Sequence, residues 1–158
     1  GCILLSLLSE LKTSKGIGID ISKKAIGIAQ SNSKKHGLNH RTKFFRRSLS
    51  EIYQYKFDLI VSNPPYIRKK DIKNLNEDIK KFEPKLALDG GNDGLDVIKK
   101  VIYKSKSILK IGGMLAIEIG NEQFRKVSKI LRSNKFKTRY LVNDYRTNIR
   151  CILSTLEN

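Results

Sequence analysis

Five consecutive residues, Ser62-Asn63-Pro64-Pro65-Tyr66, follow the apolar run FDLIV at 57–61. The two prolines fix φ and remove backbone donors, so the segment is stiff and its carbonyls are left to accept. Asn63 adds a side-chain acceptor and two donors on that frame. Tyr66 adds a flat face for stacking. Such a set suits a planar acceptor bearing an NH2 group: a carboxamide, an adenine or a cytosine. A proline-rich turn can have the same composition. Its place separates the two readings, because doubly wound sheets bind ligands at the carboxyl ends of their strands. A second candidate is Asp20, which closes GIGID at 16–20. In dinucleotide folds an acid about 20 residues past a glycine-rich turn bonds ribose hydroxyls. Gly1 stands where the last glycine of such a turn would be. An Asp ahead of a helix is otherwise a cap, and the tetrad Asn63-Pro64-Pro65-Tyr66 downstream favours the ligand role.

These residues need elements to hold them. Apolar positions 3, 4, 5, 7, 8 and 11 predict a helix over 2–11. Residues 16–21 read as a strand. Ser22 can cap a helix running to 35 with Ala25, Ile26 and Ala29 inside, ended by Gly37. Residues 42–45 and 57–61 predict strands, the second a continuous apolar run of the buried parallel kind. Residues 66–92 are polar and irregular and read as a long loop with one helical turn. Asp93 can cap a helix with Leu95, Ile98, Val101, Ile102, Ile108 and Leu109 inside, stopped by Gly112-Gly113. A strand over 114–119 follows, then a helix capped by Asn121. Strands at 136–142 and 149–156, joined through Asn143-Asp144, close the chain as an antiparallel pair. The alternation predicts an open α/β sheet.

Composition excludes several classes. A chain of 158 residues has room for one domain, and 39% apolar content supports a core. No apolar run approaches the ~20 residues of a membrane span. The opening GCILLSLLSE lacks the basic start of a signal peptide. Cys2 and Cys151 have no metal-like spacing, and both read as small core residues in a cytoplasmic protein. His36 and His40 flank Gly37 in a polar loop and are expected in solvent. Phe82, Phe124 and Phe136 read as core. The charge of +17 suits a nucleic-acid partner. A lysine-, asparagine- and isoleucine-rich codon usage accounts for it better, because the lysines fall in scattered pairs rather than clusters.

Several segments together resemble one family. GCI-x-L-SLL-SE, GIDIS-x-x-A, FDLIVSNPPYI, FEPKLALDGGNDGLD, IEIG-x-x-Q and NDY-x-x-N-x-R occur in order from Gly1 to about Ile152. They are similar to the release-factor glutamine methyltransferases. The tetrad alone is shared with amino-methyltransferases of DNA, RNA and ribosomal proteins; the stretch from Glu83-Pro84 to Asp96 is narrower. The resemblance implies a Rossmann-like S-adenosylmethionine-dependent methyltransferase sheet, mostly parallel with an antiparallel closing strand. It implies a cytoplasmic enzyme, expected as a monomer without metal, that methylates a glutamine amide in a peptide chain release factor. Asn63, Pro64, Pro65 and Tyr66 would be catalytic; Gly1, Asp20 and Asn63 would face the cofactor. The family's helical domain, first strand and most of its glycine loop are not in these residues, so 1–158 read as a fragment of the catalytic domain. The missing strand is expected between the strands ending at Asp20 and Val61. Where relatives carry an acid and a Trp beside the adenine, this chain has Arg47, Ser48 and Leu49. Glu118 reads as a strand-end carboxylate. Two other readings stay open: an adenine or cytosine amino-methyltransferase, favoured by the charge and disfavoured by EPKLALDGGNDGLD, and an inactive remnant.

Overall fold

The computed structural model describes residues 1–158, which contacts divide into two compact units, Gly1–Gln54 and Tyr55–Asn158. The sequence reading expects one domain. The first unit runs α1 (Cys2–Glu10), β1 (Gly16–Asp20), α2 (Lys23–Lys35), β2 (Thr42–Arg46) and a 3-10 turn at Leu49–Glu51. β1 and β2 pair in parallel, from Gly16 opposite Thr42 to Asp20 opposite Arg46. Ser22 caps α2 as its position predicts, its hydroxyl accepting the Ala25 N–H at 3.2 Å. Arg41 closes α1 from outside. Its guanidinium donates to the carbonyls of Leu8, in the last turn, of Leu11, the C-cap, and of Ser14 beyond it, at 2.7–3.1 Å; the Leu8 carbonyl is one that a helix end leaves without an intrahelical partner. Leu5, Leu8 and Leu38 form the core, with Leu4 and Phe44 packed against it.

The second unit runs β3 (Phe57–Ser62), a 3-10 helix (Lys69–Asn74), α3 (Glu77–Phe82), α4 (Lys85–Leu88), α5 (Asp96–Ile108), β4 (Leu109–Glu118), α6 (Phe124–Ser133), β5 (Phe136–Asn143) and β6 (Ile149–Leu156). Its sheet has the order β3-β4-β6-β5. β3 and β4 are parallel, and β6 is antiparallel to both β4 and β5. The chain is therefore α/β with parallel ladders and an antiparallel close, as expected. Ile98, Ile102, Leu115, Ile117, Leu131 and Ile152 are fully buried and set the core between α5, β4, α6 and β6. No helix is long and apolar enough to cross a membrane.

The structure corrects several expectations. Residues 66–92 are not one loop; three short helices occupy them, each too brief to give a periodic signal. Asp93 does not cap α5. It accepts the Leu95 N–H at 2.9 Å and pairs with Lys99, and the helix starts at Asp96. Asn121 likewise accepts the N–H of Glu122 while α6 starts at Phe124. β4 starts at Leu109, so Gly112-Gly113 lie inside the strand rather than ending the helix. β3 pairs in parallel as predicted, yet Leu59 and Val61 are exposed. The helix at 2–10 leaves Cys2 outside, Cys151 is half-buried, and Phe82 is exposed.

Candidate active site

The tetrad leaves the end of β3 and is held by three other segments of its own unit. The loop after α4 runs alongside it: Ile67 N–H donates to the Leu88 carbonyl at 3.1 Å, Gly90 N–H to the Ile67 carbonyl at 2.9 Å, and Lys69 N–H to the Gly91 carbonyl at 2.9 Å. This approach is possible only without side chains. A Cβ on Gly90 would stand 2.8 Å from Tyr66 Cα, and Gly94, at φ +75°, would press one into the Tyr66 carbonyl. The glycines of DGGNDGLD thus form the wall against which the tetrad lies.

Gln123 is the second clamp. Its side-chain nitrogen donates to the Tyr66 carbonyl at 3.0 Å and the Gly94 carbonyl at 3.1 Å, and its oxygen accepts the Gly120 N–H at 2.8 Å. One amide therefore ties together the tetrad, the glycine loop and the end of β4. The third is Arg150 on β6. Its Nη2 donates to the Tyr66 hydroxyl at 2.7 Å, and its guanidinium lies 5.2 Å from the ring centroid. Glu118, the last residue of β4, sits 3.4 Å from both the Arg150 Nη2 and the Tyr66 hydroxyl. Residue type alone marks neither Gln123 nor Arg150 as functional. Their signal lay in IEIG-x-x-Q and NDY-x-x-N-x-R.

The tetrad carries acceptors without partners in the chain. Pro64 is buried and Asn63 exposed. Neither the Asn63 side chain nor the Pro64 carbonyl makes a hydrogen bond within the chain. Two oxygens on a clamped loop are thus left for a ligand with N–H donors.

Gly1 and Asp20 lie in the first unit. Asp20 ends β1 and is exposed. Its Oδ1 accepts the Ser22 N–H at 2.8 Å, while Oδ2 is without a partner. A free carboxylate oxygen at a strand's carboxyl end fits the hydroxyl donors of a ribose. Gly1 is the N-cap of α1, and a Cβ there would come 2.8 Å from Ala29 Cβ and 3.3 Å from the Phe44 ring. The position takes glycine because three elements meet at it. Among Arg47, Ser48 and Leu49, Arg47 lies with its guanidinium 5.4 Å from the Phe45 ring centroid. Glu51 is tied to the Ser48 N–H at 3.1 Å; that backbone bond holds its carboxyl below the usual range.

Around Arg150, burial pushes the Cys151 thiol up, and the Glu118 carboxylate adds to it, so the thiol stays protonated and unreactive at neutral pH.

Comparison with known proteins shows the family and the fold. A family model described as a methyltransferase domain matches residues 1–152. A release factor glutamine methyltransferase of Rhodospirillum rubrum is 38% identical over 154 residues, covering 98% of this chain and 47% of that protein. A ribosomal protein uL3 glutamine methyltransferase of Francisella tularensis is 38% identical over 125 residues, 78% of this chain and 40% of that protein. The chain spans about half the length of the curated relatives it matches. Among solved structures, a ribosomal protein L11 methylase from Lactobacillus delbrueckii superposes over 99% of this chain and 65% of its own, with a TM-score of 0.71 at 18% identity. That likeness shows the fold.

Proposed function

The chain belongs to the methyltransferase-domain family, and from that premise we propose that it methylates the side-chain amide nitrogen of a glutamine in a peptide chain release factor, using S-adenosylmethionine. It is read as the catalytic half of such an enzyme, acting in the cytoplasm where that acceptor is found. The observation that carries the reading is the pair of unpartnered oxygens, Asn63 Oδ1 and the Pro64 carbonyl, on a loop clamped from three sides. Two relatives named for glutamine methylation support an amide acceptor, and the uL3 enzyme makes a ribosomal protein the second acceptor to test.

S-adenosylmethionine, when bound, supplies an electrophilic methyl group; Asp20 would hold its ribose, and Gly1 and Asn63 would line its place. The rest is done by the chain's own residues. An amide nitrogen is a poor nucleophile because its lone pair is delocalised into the carbonyl. Asn63 Oδ1 and the Pro64 carbonyl can accept one N–H each, which favours a pyramidal nitrogen and directs its lone pair away from the loop. As positive charge develops on nitrogen these two hydrogen bonds strengthen, so they stabilise the transition state more than the ground state. Tyr66 packs on the planar amide and Pro65 keeps the loop from yielding. Holding two reactants in line supplies about 7–11 kcal/mol at most. The proton lost from nitrogen passes to water, and the scheme requires no general base.

The test is transfer of a tritiated methyl group to release factor, ribosomal protein and DNA side by side. Asn63→Ala is expected to abolish transfer to release factor while affinity for S-adenosylmethionine stays within a few-fold. Wild-type turnover in the variant would remove Asn63 from the chemistry. Label entering DNA but neither protein would replace the amide acceptor with a base flipped against Tyr66.

A further inference from the structure

We propose that Arg150 and Glu118 are positioning residues that fix the Tyr66 ring for the acceptor; the proposal rests on reading the tetrad as the acceptor site. Their placement follows from sheet register. β4 and β6 are antiparallel with Glu118 opposite Cys151, and the Ile119 N–H donates to the Arg150 carbonyl at 3.0 Å. The register brings the two residues to one end of the sheet, the end at which the tetrad emerges from β3, and there their side chains meet at 3.4 Å. Their ion pair is half-buried, with side chains 30% and 35% exposed.

Tyr66 is held at three separate points. Gln123 grips its carbonyl, and Arg150 grips its hydroxyl at 2.7 Å. Gly120 abuts its ring edge, where a Cβ would stand 2.9 Å from Cδ2. A tyrosine serving only as packing needs one partner for its hydroxyl. This one has a guanidinium both bonded to the hydroxyl and 5.2 Å from the ring centroid, with a carboxylate that restrains the guanidinium in turn. The carboxylate has a second effect. A lone guanidinium beside the tetrad would oppose positive charge developing on the acceptor nitrogen, and Glu118 offsets it. The pair therefore orients the ring while adding little net charge. Arginine suits the task because its planar fork can bond and stack at once, which a lysine ammonium cannot.

The experiment is a double-mutant cycle in the chain, with release factor as acceptor and a parallel readout that needs no activity. Tyr66→Phe and Arg150→Met are each expected to lower kcat about tenfold, with KM for S-adenosylmethionine within twofold. The double variant is expected to lose about tenfold rather than a hundredfold, because both changes remove one interaction. Arg150→Lys should recover part of the loss. In 13C-tyrosine spectra the Tyr66 ring signal, identified by its disappearance in Tyr66→Phe, should shift in Arg150→Lys, Arg150→Met and Glu118→Gln. Multiplicative losses in the cycle, or a Tyr66 signal unmoved by these changes, would overturn the proposal. If release factor is not methylated even by the unmodified chain, the functional reading fails, and the ring signal alone decides whether Arg150 and Glu118 fix Tyr66. Should Arg150→Met not fold, Arg150→Lys and Glu118→Gln carry the same comparison.

Discussion

Asp20 and Asn63 present the same feature: a polar side chain at the carboxyl end of a parallel strand, exposed, with an oxygen left unbonded. For Asp20 this makes a quantitative expectation. Losing hydrogen bonds to a charged group costs about 1.5–3 kcal/mol, so Asp20→Ala should weaken S-adenosylmethionine binding about ten- to a hundredfold by calorimetry. Its bond to the Ser22 N–H is also lost, so the comparison needs Asp20→Asn, whose side-chain oxygen can still accept that N–H while the charge is gone. Equal affinity in Asp20→Ala and the unmodified chain would assign Asp20 to capping alone. At this scale the sequence was legible where chemistry is carried by residue type. Asn, Pro, Pro and Tyr after an apolar run stand out as a candidate, and the structure shows that segment clamped at the end of β3. Gln123 and Arg150 were not legible as individuals, because a glutamine after a glycine or an arginine in a strand looks like any surface residue. Only register and loop closure, which link positions 66, 94, 120, 123 and 150, give them a role.

Among the elements, long periodic segments and strands could be read directly, and short ones could not. α2 shows its cap in Ser22 and its stop in Gly37, and the closing hairpin shows in Asn143-Asp144. The three short helices between 69 and 88 lack the length for a period to appear. The starts of α5 and α6 were misplaced because Asp93 and Asn121 bond their near neighbours in turns, an alternative always open to Asp and Asn. Asp144 uses the same habit to build the β5–β6 turn. Its Oδ1 accepts the N–H of Arg146 at 2.9 Å and of Asn148 at 3.0 Å. Burial raises its pKa, yet the bonds from Asn148 and Arg146 together outweigh that and hold the carboxyl below its ordinary value. A lowered pKa means the turn is stabilised fully above the unfolded value near 3.9 and loses that support as pH falls through the folded one. The Arg146 and Asn148 amide signals should therefore titrate together with a midpoint below about 3.9. Their hydrogen exchange should rise relative to β6 over the same range. A midpoint above 3.9, or no titration, would mean that Asp144 does not hold the turn.

For the whole molecule, charge and size set the expectations. The lysine pairs look scattered along the sequence, but the net charge is not. Residues 51–95 carry eight basic and eight acidic residues; residues 21–50 carry eight basic and none acidic; residues 124–146 carry eight basic against Asp144 alone. Most ion pairs are exposed and contribute little, so like-charge repulsion dominates the electrostatics of folding. Added salt shortens its reach from about 10 Å at 0.1 M to 3 Å at 1 M. The melting temperature should rise between 0.02 and 0.5 M NaCl; a fall would show that the exposed pairs outweigh the repulsion. Size distinguishes the two units. A domain of about 60 residues buries only ~60% of the surface that its unfolded chain exposes, and Gly1–Gln54 is of that order. Its sheet is a single two-stranded ladder, whereas Tyr55–Asn158 has four strands and nearly all of the fully buried side chains. Local opening takes its free energy from buried contacts. Native-state hydrogen exchange should therefore find the amides of β4 and β6 the most protected in the chain. Those of β1 and β2 should open at lower free energy and with a smaller dependence on denaturant, since less surface is exposed when they do. S-adenosylmethionine, if held by Asp20, should slow exchange in β1 and β2 in proportion to its concentration over Kd. Protection equal across both sheets without ligand would mean that the two units open together, and the boundary at Gln54 would have no energetic counterpart.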